Sequence, residues 1–227
     1  MYRRNGRNPV IEPGVLDEAV SRDEGRSTPR FRGLAPAAVV LVGLAVLLIA
    51  FQLWQTAYRA PGDDSLEAGF ARDMIVHHDQ AVVMALLIRD RTTDPRIKTL
   101  ATDILLTQEN QIGQMLGWLN VWGLSATGVE PAMAWMGHPT TGLMPGMATP
   151  EELKSLEGLS GDSADQLFLQ LMIRHHQGAI PMAQEALARS GNTPVRDLAR
   201  AILAAQQAEI VTMDELLRTK TASGAGP

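Results

Sequence analysis

Two stretches of sixteen residues carry side chains suited to holding a metal ion: Phe70–Ala85 (FARDMIVHHDQAVVMA) and Phe168–Ala183 (FLQLMIRHHQGAIPMA). At an offset of 98, Phe70 matches Phe168, Met74 matches Met172 and Ile75 matches Ile173. His77-His78 matches His175-His176, Ala81 matches Ala179, and Met84-Ala85 matches Met182-Ala183. The offset continues downstream, pairing Leu100-Ala101 with Leu198-Ala199, Ile104 with Ile202, Gln108 with Gln206, Ile112 with Ile210 and Met115 with Met213. Four of five histidines and six of eleven methionines therefore stand at repeated positions, a pairing that ordinary drift of a core would not preserve. Imidazole with thioether is a soft-to-borderline donor set. Methionine is a poor ligand for Zn, Mg, Mn or Ca but suits Cu(I) and its soft relatives.

At about 100° per helical residue, Met74, His77, His78, Ala81, Met84 and Ala85 fall on one face. The small alanines let neighbouring helices approach. Adjacent histidines stand about 100° apart, so one ring aims at the bundle centre while the other meets the next helix. Residues of other helices must then complete any one site. Such a site takes His77, His78, His175 and His176 with Met74, Met84, Met172 and Met182, and with Met115 and Met213 from the partner helices. Leaving four imidazoles buried without partners would cost several kcal/mol; bound metal or a hydrogen-bond network is needed. A carboxylate-bridged di-iron centre fits badly, because neither His pair follows a Glu at Glu-x-x-His spacing and only Gln111/Glu209 is half-acidic. Gly178 and Pro181 replace Gln80 and Val83 in the second repeat, and Pro181 removes a backbone bond to Gln177, which predicts a kink.

The elements that position these residues read as helices. Asp63, Asp64 and Ser65 offer N-caps for a helix to about Arg91, and Asp94-Pro95 opens another to about Trp122. Thr149-Pro150-Glu151-Glu152 is a capping box, Ser163-Ala164-Asp165-Gln166 opens a helix ending at Ser190-Gly191, and Thr193-Pro194 starts the last, to about Arg218. No segment alternates long enough for a strand. The class is all-α, and two repeated helical hairpins pack most simply as a four-helix bundle over residues 59–220. Between the hairpins, residues 123–148 form a long loop with Met133, Met136, His138, Met144 and Met147, a possible secondary metal site.

Residues 33–58 contain no charge and 34–58 approach the roughly 20 residues of a bilayer span, with Trp54 and Tyr58 suited to the interface. An uncleaved anchor is favoured over a cleaved signal peptide, because the preceding tail is long and no small-x-small cleavage site follows. Arg26, Arg30 and Arg32 precede the run and Asp63, Asp64 and Glu67 follow it, which places the N-terminus in the cytoplasm and the bundle outside. Residues 1–33 and 221–227 are expected to be disordered tails.

Composition removes several classes. Of 20 basic and 25 acidic residues, seven Arg and five acids lie in residues 1–33, leaving the remainder at −7. An acidic body argues against nucleic acid. The absence of cysteine excludes disulfides, thiolate zinc sites, cysteine-held iron–sulfur clusters and cysteine nucleophiles.

The twice-used M-x-x-H-H-x-x-A-x-x-M stretch (Met74–Met84 and Met172–Met182), with Met144-Pro145-Gly146-Met147 between, resembles the bacterial domain-of-unknown-function family 305 (DUF305). The resemblance covers about Ser65–Leu217. It implies a ferritin-like four-helix bundle and a copper ligand, since some periplasmic members are implicated in copper binding and tolerance; it implies no activity. The expected function is a membrane-anchored, extracytoplasmic protein that sequesters or passes on Cu(I), with a copper-exporting or copper-accepting protein as a candidate partner. Two alternatives are a copper- or iron-dependent oxidase using the same histidines and a structural or signalling ectodomain without metal.

Overall fold

The first helix of the bundle begins where Ser65 turns its hydroxyl back to accept the Ala68 N–H, 3.2 Å away. This computed structural model describes residues 34–57 and 60–224, with side chains from 37 to 53 and from 60 to 222. Six α-helices stand in it: α1 (Leu34–Ala57), α2 (Leu66–Arg89), α3 (Pro95–Val121), α4 (Pro150–Gly158), α5 (Gly161–Arg189) and α6 (Thr193–Gly224). Among the described residues there is no strand beyond an isolated bridge between Ala132 and Thr140. The expected tail of residues 1–33 lies outside the described residues, as do residues 225–227.

The helix starts follow their sequence signals. Asp94 caps α3 with Pro95 in its first turn, and Thr149 and Glu152 close a reciprocal capping box on α4. Two ends differ from expectation. α5 starts at Gly161, whose φ of +56° turns the chain tightly out of α4. α6 runs past Arg218 because Lys220 is held by Asp94, Asp162 and Asp165. The helix assignment of α5 continues through Pro181.

The described residues divide into two units, α1 in one and residues 60–224 in the other. Among the described residues no helix is long and apolar enough to cross a membrane. The expected span over 34–58 is therefore not supported here, and the side chains of Trp54 and Tyr58 lie outside those described.

In the second unit, α2 and α5 cross in antiparallel sense at the centre, with α3 packed on α2 and α6 on α5. The core shows this directly. Met74 and Ile75 of α2 share one apolar cluster with Ala179–Ala186 of α5, Ile112–Leu119 of α3 and Val195–Ile202 of α6. Met84–Ile88 of α2 share the other with Ala164–Ile173 of α5, Ile97–Ile104 of α3 and Met213 of α6. The repeat in sequence is thus a pseudo-twofold in space. Between the two apolar clusters lies a layer that is not apolar.

Candidate metal centre

That layer holds His77, His78, His175 and His176, each with no solvent exposure. The repeat-equivalent rings of His77 and His175 meet at the helix crossing, centroids 3.9 Å apart and planes inclined by 42°. Their neighbours turn outward, as the 100° spacing predicts: His78 Nε2 donates to Gln111 Oε1 on α3, and His176 Nε2 to Glu209 Oε2 on α6, each at 2.7 Å. Gln111 and Glu209 are themselves repeat-equivalent. Nδ1 of His77, His78 and His176 and both ring nitrogens of His175 have no hydrogen-bond partner. The buried, repeat-equivalent amides of Gln108 and Gln206 likewise lack partners at both atoms.

Burial keeps His77, His78 and His175 neutral. It lowers His77 to about 4, against a weaker opposing bond from Pro145, and His78 to about 3, aided by the charge His77 would carry. His175 is lowered well below the ordinary range, first by burial and then by its three histidine neighbours. A neutral imidazole offers a lone pair to a metal, and no proton must leave first.

Thioethers flank the layer on both sides. Met74, Met115 and Met182 share one core cluster; Met172, Met213 and Met84 share the other. At the offset of 98 these trios are equivalent, each drawing residues from both hairpins. All six side chains are fully buried. Among the described residues no group of three or more His, Cys, Asp or Glu side chains is placed to hold a metal ion. The histidines do not make such a group by themselves, so an ion at this layer would need thioethers beside the imidazoles.

The loop over 123–148 is docked against the bundle. Met133 and Met144 are buried in the first cluster, Met136 and Met147 pack on its edge, and His138 is exposed. Three positions in the first repeat receive the loop. Trp135 lies on Gly69, where a Cβ would approach within 2.7 Å. Asp73 Oδ2 accepts the Met133 N–H at 2.7 Å and the Trp135 Nε1–H at 2.8 Å, which holds Met133 at a φ of +66°. Gln80 pairs through both amide atoms with the backbone of Ala148. On the facing helix, a Cβ on Gly178 would meet Pro145 O at 2.0 Å. Gln80 and Gly178 thus differ because one grips the loop and the other makes room for it. His77 Nε2 donates to Pro145 O at 3.0 Å, tying the loop to the centre.

The structure thus brings His77 and His175 together with their neighbours His78 and His176, and sorts the six helical methionines into two trios, one in each apolar cluster. It does not bring His138 to the centre. The sequence signal for Asp73, Gln80 and Glu209 was their departure from the repeat, and for Gln108 and Gln206 their retention of it.

A family profile described as a domain of unknown function (DUF305) matches residues 67–217. The crystal structure of a putative secreted DUF305 protein from Streptomyces coelicolor is 45% identical, covering 70% of this chain and 96% of its own, with a TM-score of 0.68. CopM in its Cu(II)-bound form is 30% identical, covering 68% of this chain and 97% of its own, with a TM-score of 0.55. CopM is also solved in a Cu(I)-bound form, which is 26% identical over 70% of this chain and 97% of its own, at a TM-score of 0.51. An uncharacterized protein, L153, of Acanthamoeba polyphaga mimivirus is 34% identical over 37% of this chain, and the match spans 51% of that relative's length.

Proposed function

The chain belongs to the DUF305 family, and we propose that it binds a soft metal ion, Cu(I), between its two hairpins for sequestration or transfer. One observation carries this reading: five unpartnered, buried imidazole nitrogens lie between two equivalent methionine trios. An unsatisfied buried polar atom costs about 1–3 kcal/mol, and a soft cation would satisfy several of these at once. The copper-bound forms of CopM, a structural relative, support the choice of metal. His77, His78, His175 and His176 are the imidazole ligands in this reading. Met74, Met115 and Met182 at one end, and Met84, Met172 and Met213 at the other, supply the thioethers. The docked Met133 and Met144 make the first end richer in sulfur than the second. Met136 and Met147 at its edge, with exposed His138, would take the ion first.

The same reading places the bundle outside the cytoplasmic membrane, anchored by the charge-free run 33–58 with arginines before it and acids after it. A cysteine introduced at Ser223 is labelled in intact cells by an impermeant thiol reagent if this topology holds, and stays unlabelled if it does not. Metal binding itself is tested by anaerobic Cu(I) titration against a competing chelator, with Zn(II) in parallel. Selectivity for Cu(I) by several orders of magnitude is expected; comparable affinities would remove the methionines from the site.

A further inference from the structure

Three of the four buried rings make the same kind of bond. Nε2 of His77 faces a backbone carbonyl (Pro145 O), Nε2 of His78 an amide carbonyl (Gln111 Oε1), and Nε2 of His176 a carboxylate (Glu209 Oε2). All three oxygens accept, so Nε2 carries the proton in each ring. In the neutral form of each ring the lone pair is then on Nδ1, which is buried and unpartnered in all three. The acceptors come from three separate elements (the loop, α3 and α6), so the shared pattern is not the by-product of one helix's geometry.

The two repeats differ in one respect. Gln111 and Glu209 hold equivalent rings, but one is neutral and the other an acid. Among the described residues, no other carboxylate hydrogen-bonds any of the four rings. A monovalent cation held by neutral imidazoles and thioethers brings a charge into a buried layer with nothing to balance it. A carboxylate behind a ligating imidazole balances part of that charge and raises the basicity of the ring.

Resting on the metal-binding reading above, we propose that Pro145 O, Gln111 and Glu209 fix the Nε2–H tautomer of His77, His78 and His176. Nδ1 is then the nitrogen these rings offer to a soft cation, and Glu209 is the positioning residue that supplies the counter-charge. The second repeat is thereby the stronger electrostatic half of a site that is otherwise twofold.

The test uses the full chain in detergent with ¹⁵N-labelled histidine, and Ag(I) as a diamagnetic probe. Long-range ¹H–¹⁵N spectra of the metal-free protein should show His77, His78 and His176 as Nε2–H tautomers. Adding Ag(I) should move their Nδ1 resonances and leave the Nε2–H in place. Glu209→Gln keeps an acceptor but removes the charge and should weaken Ag(I) binding about tenfold; Glu209→Leu should weaken it by about 10–100-fold and release the His176 tautomer. Gln111→Glu should strengthen it. If Glu209→Leu does not fold, Glu209→Gln and the wild-type spectra decide. Ag(I) ligation through Nε2 of His78 or His176, or wild-type affinity in Glu209→Gln, overturns this inference and leaves metal binding standing. A wild-type chain that takes up no Ag(I) overturns both.

Discussion

His77 and His175, 98 residues apart and equivalent in the two repeats, place their ring centroids 3.9 Å from each other at the crossing of α2 and α5. Neither hairpin alone encloses this pair. The contact makes the centre a joint product of both repeats, and it forbids both rings from being charged together. Its neighbours His78 and His176 extend the layer outward to α3 and α6. The pH response of the metal-free fold follows from that arrangement.

The folded-state pKa values of His77 and His78 lie near 4 and 3, and that of His175 is also depressed, whereas unfolded histidines titrate near 6.5. Between those values the unfolded chain binds more protons, so stability rises with pH through this window. It is fully present above about pH 6.5 and is lost as pH falls toward 4, by up to about 1.4 kcal/mol per pH unit for each such histidine. Denaturant unfolding of the metal-free chain at pH 7.5 and pH 5 checks this. Equal midpoints would contradict the burial of neutral rings.

Gly178→Ala puts a methyl group against Pro145 O, and relief requires the loop to move. The expected cost is about 1–3 kcal/mol, with faster hydrogen exchange at Ala148, whose N–H bonds Gln80. Gln80→Ala should produce the same exchange phenotype from the other side of the loop. Unchanged protection at Ala148 in both variants would show that these contacts do not hold the loop.

Helix starts, the hairpin duplication and the inward face of the His-Met stripe were legible because each is local. A cap or a 3.6-residue period is written within a few neighbours. The outward turn of His78 and His176 was readable from the angle between adjacent helical residues. What was not legible depends on the packing of distant segments. The grip of Asp73 and Gln80 on a loop some 60–70 residues away appears in the sequence only as a break in the repeat. The sorting of six methionines into trios across hairpins needed the antiparallel crossing of α2 and α5. Lys220 was assigned past the end of the last helix, yet three acids from α5 and the α3 cap converge on it.

Lys220→Met should therefore be costly. Asp165 has no solvent exposure, and Lys220 Nζ, 2.7 Å from its Oδ2, is the cation paired with it. Removing one partner of a buried pair costs about 3–5 kcal/mol. Thermal unfolding reads the loss, which Asp165→Asn in the same chain should partly restore. A midpoint within 2 °C of wild type for Lys220→Met would contradict the pairing.

Replacing Met74, Met115 and Met182 together by Leu conserves volume, and each change should cost under about 1.5 kcal/mol in stability. It should nevertheless weaken Ag(I) binding, because the thioethers go and the histidines stay. The equivalent replacement of Met84, Met172 and Met213 should weaken it further, since Met133 and Met144 remain beside the first trio alone. Retained affinity in both triple variants would assign these methionines to packing.

The central claim is that both repeats feed one metal centre, and anaerobic Cu(I) titration against a chelator of known affinity tests it most directly. Three chains are compared after circular dichroism confirms that each is folded: wild type, His77→Ala with His78→Ala, and His175→Ala with His176→Ala. Because His77 and His175 meet at one point, either double substitution should abolish nearly all high-affinity binding. Two folded variants that each bind copper like wild type would contradict the claim and move the site to the methionine-rich loop.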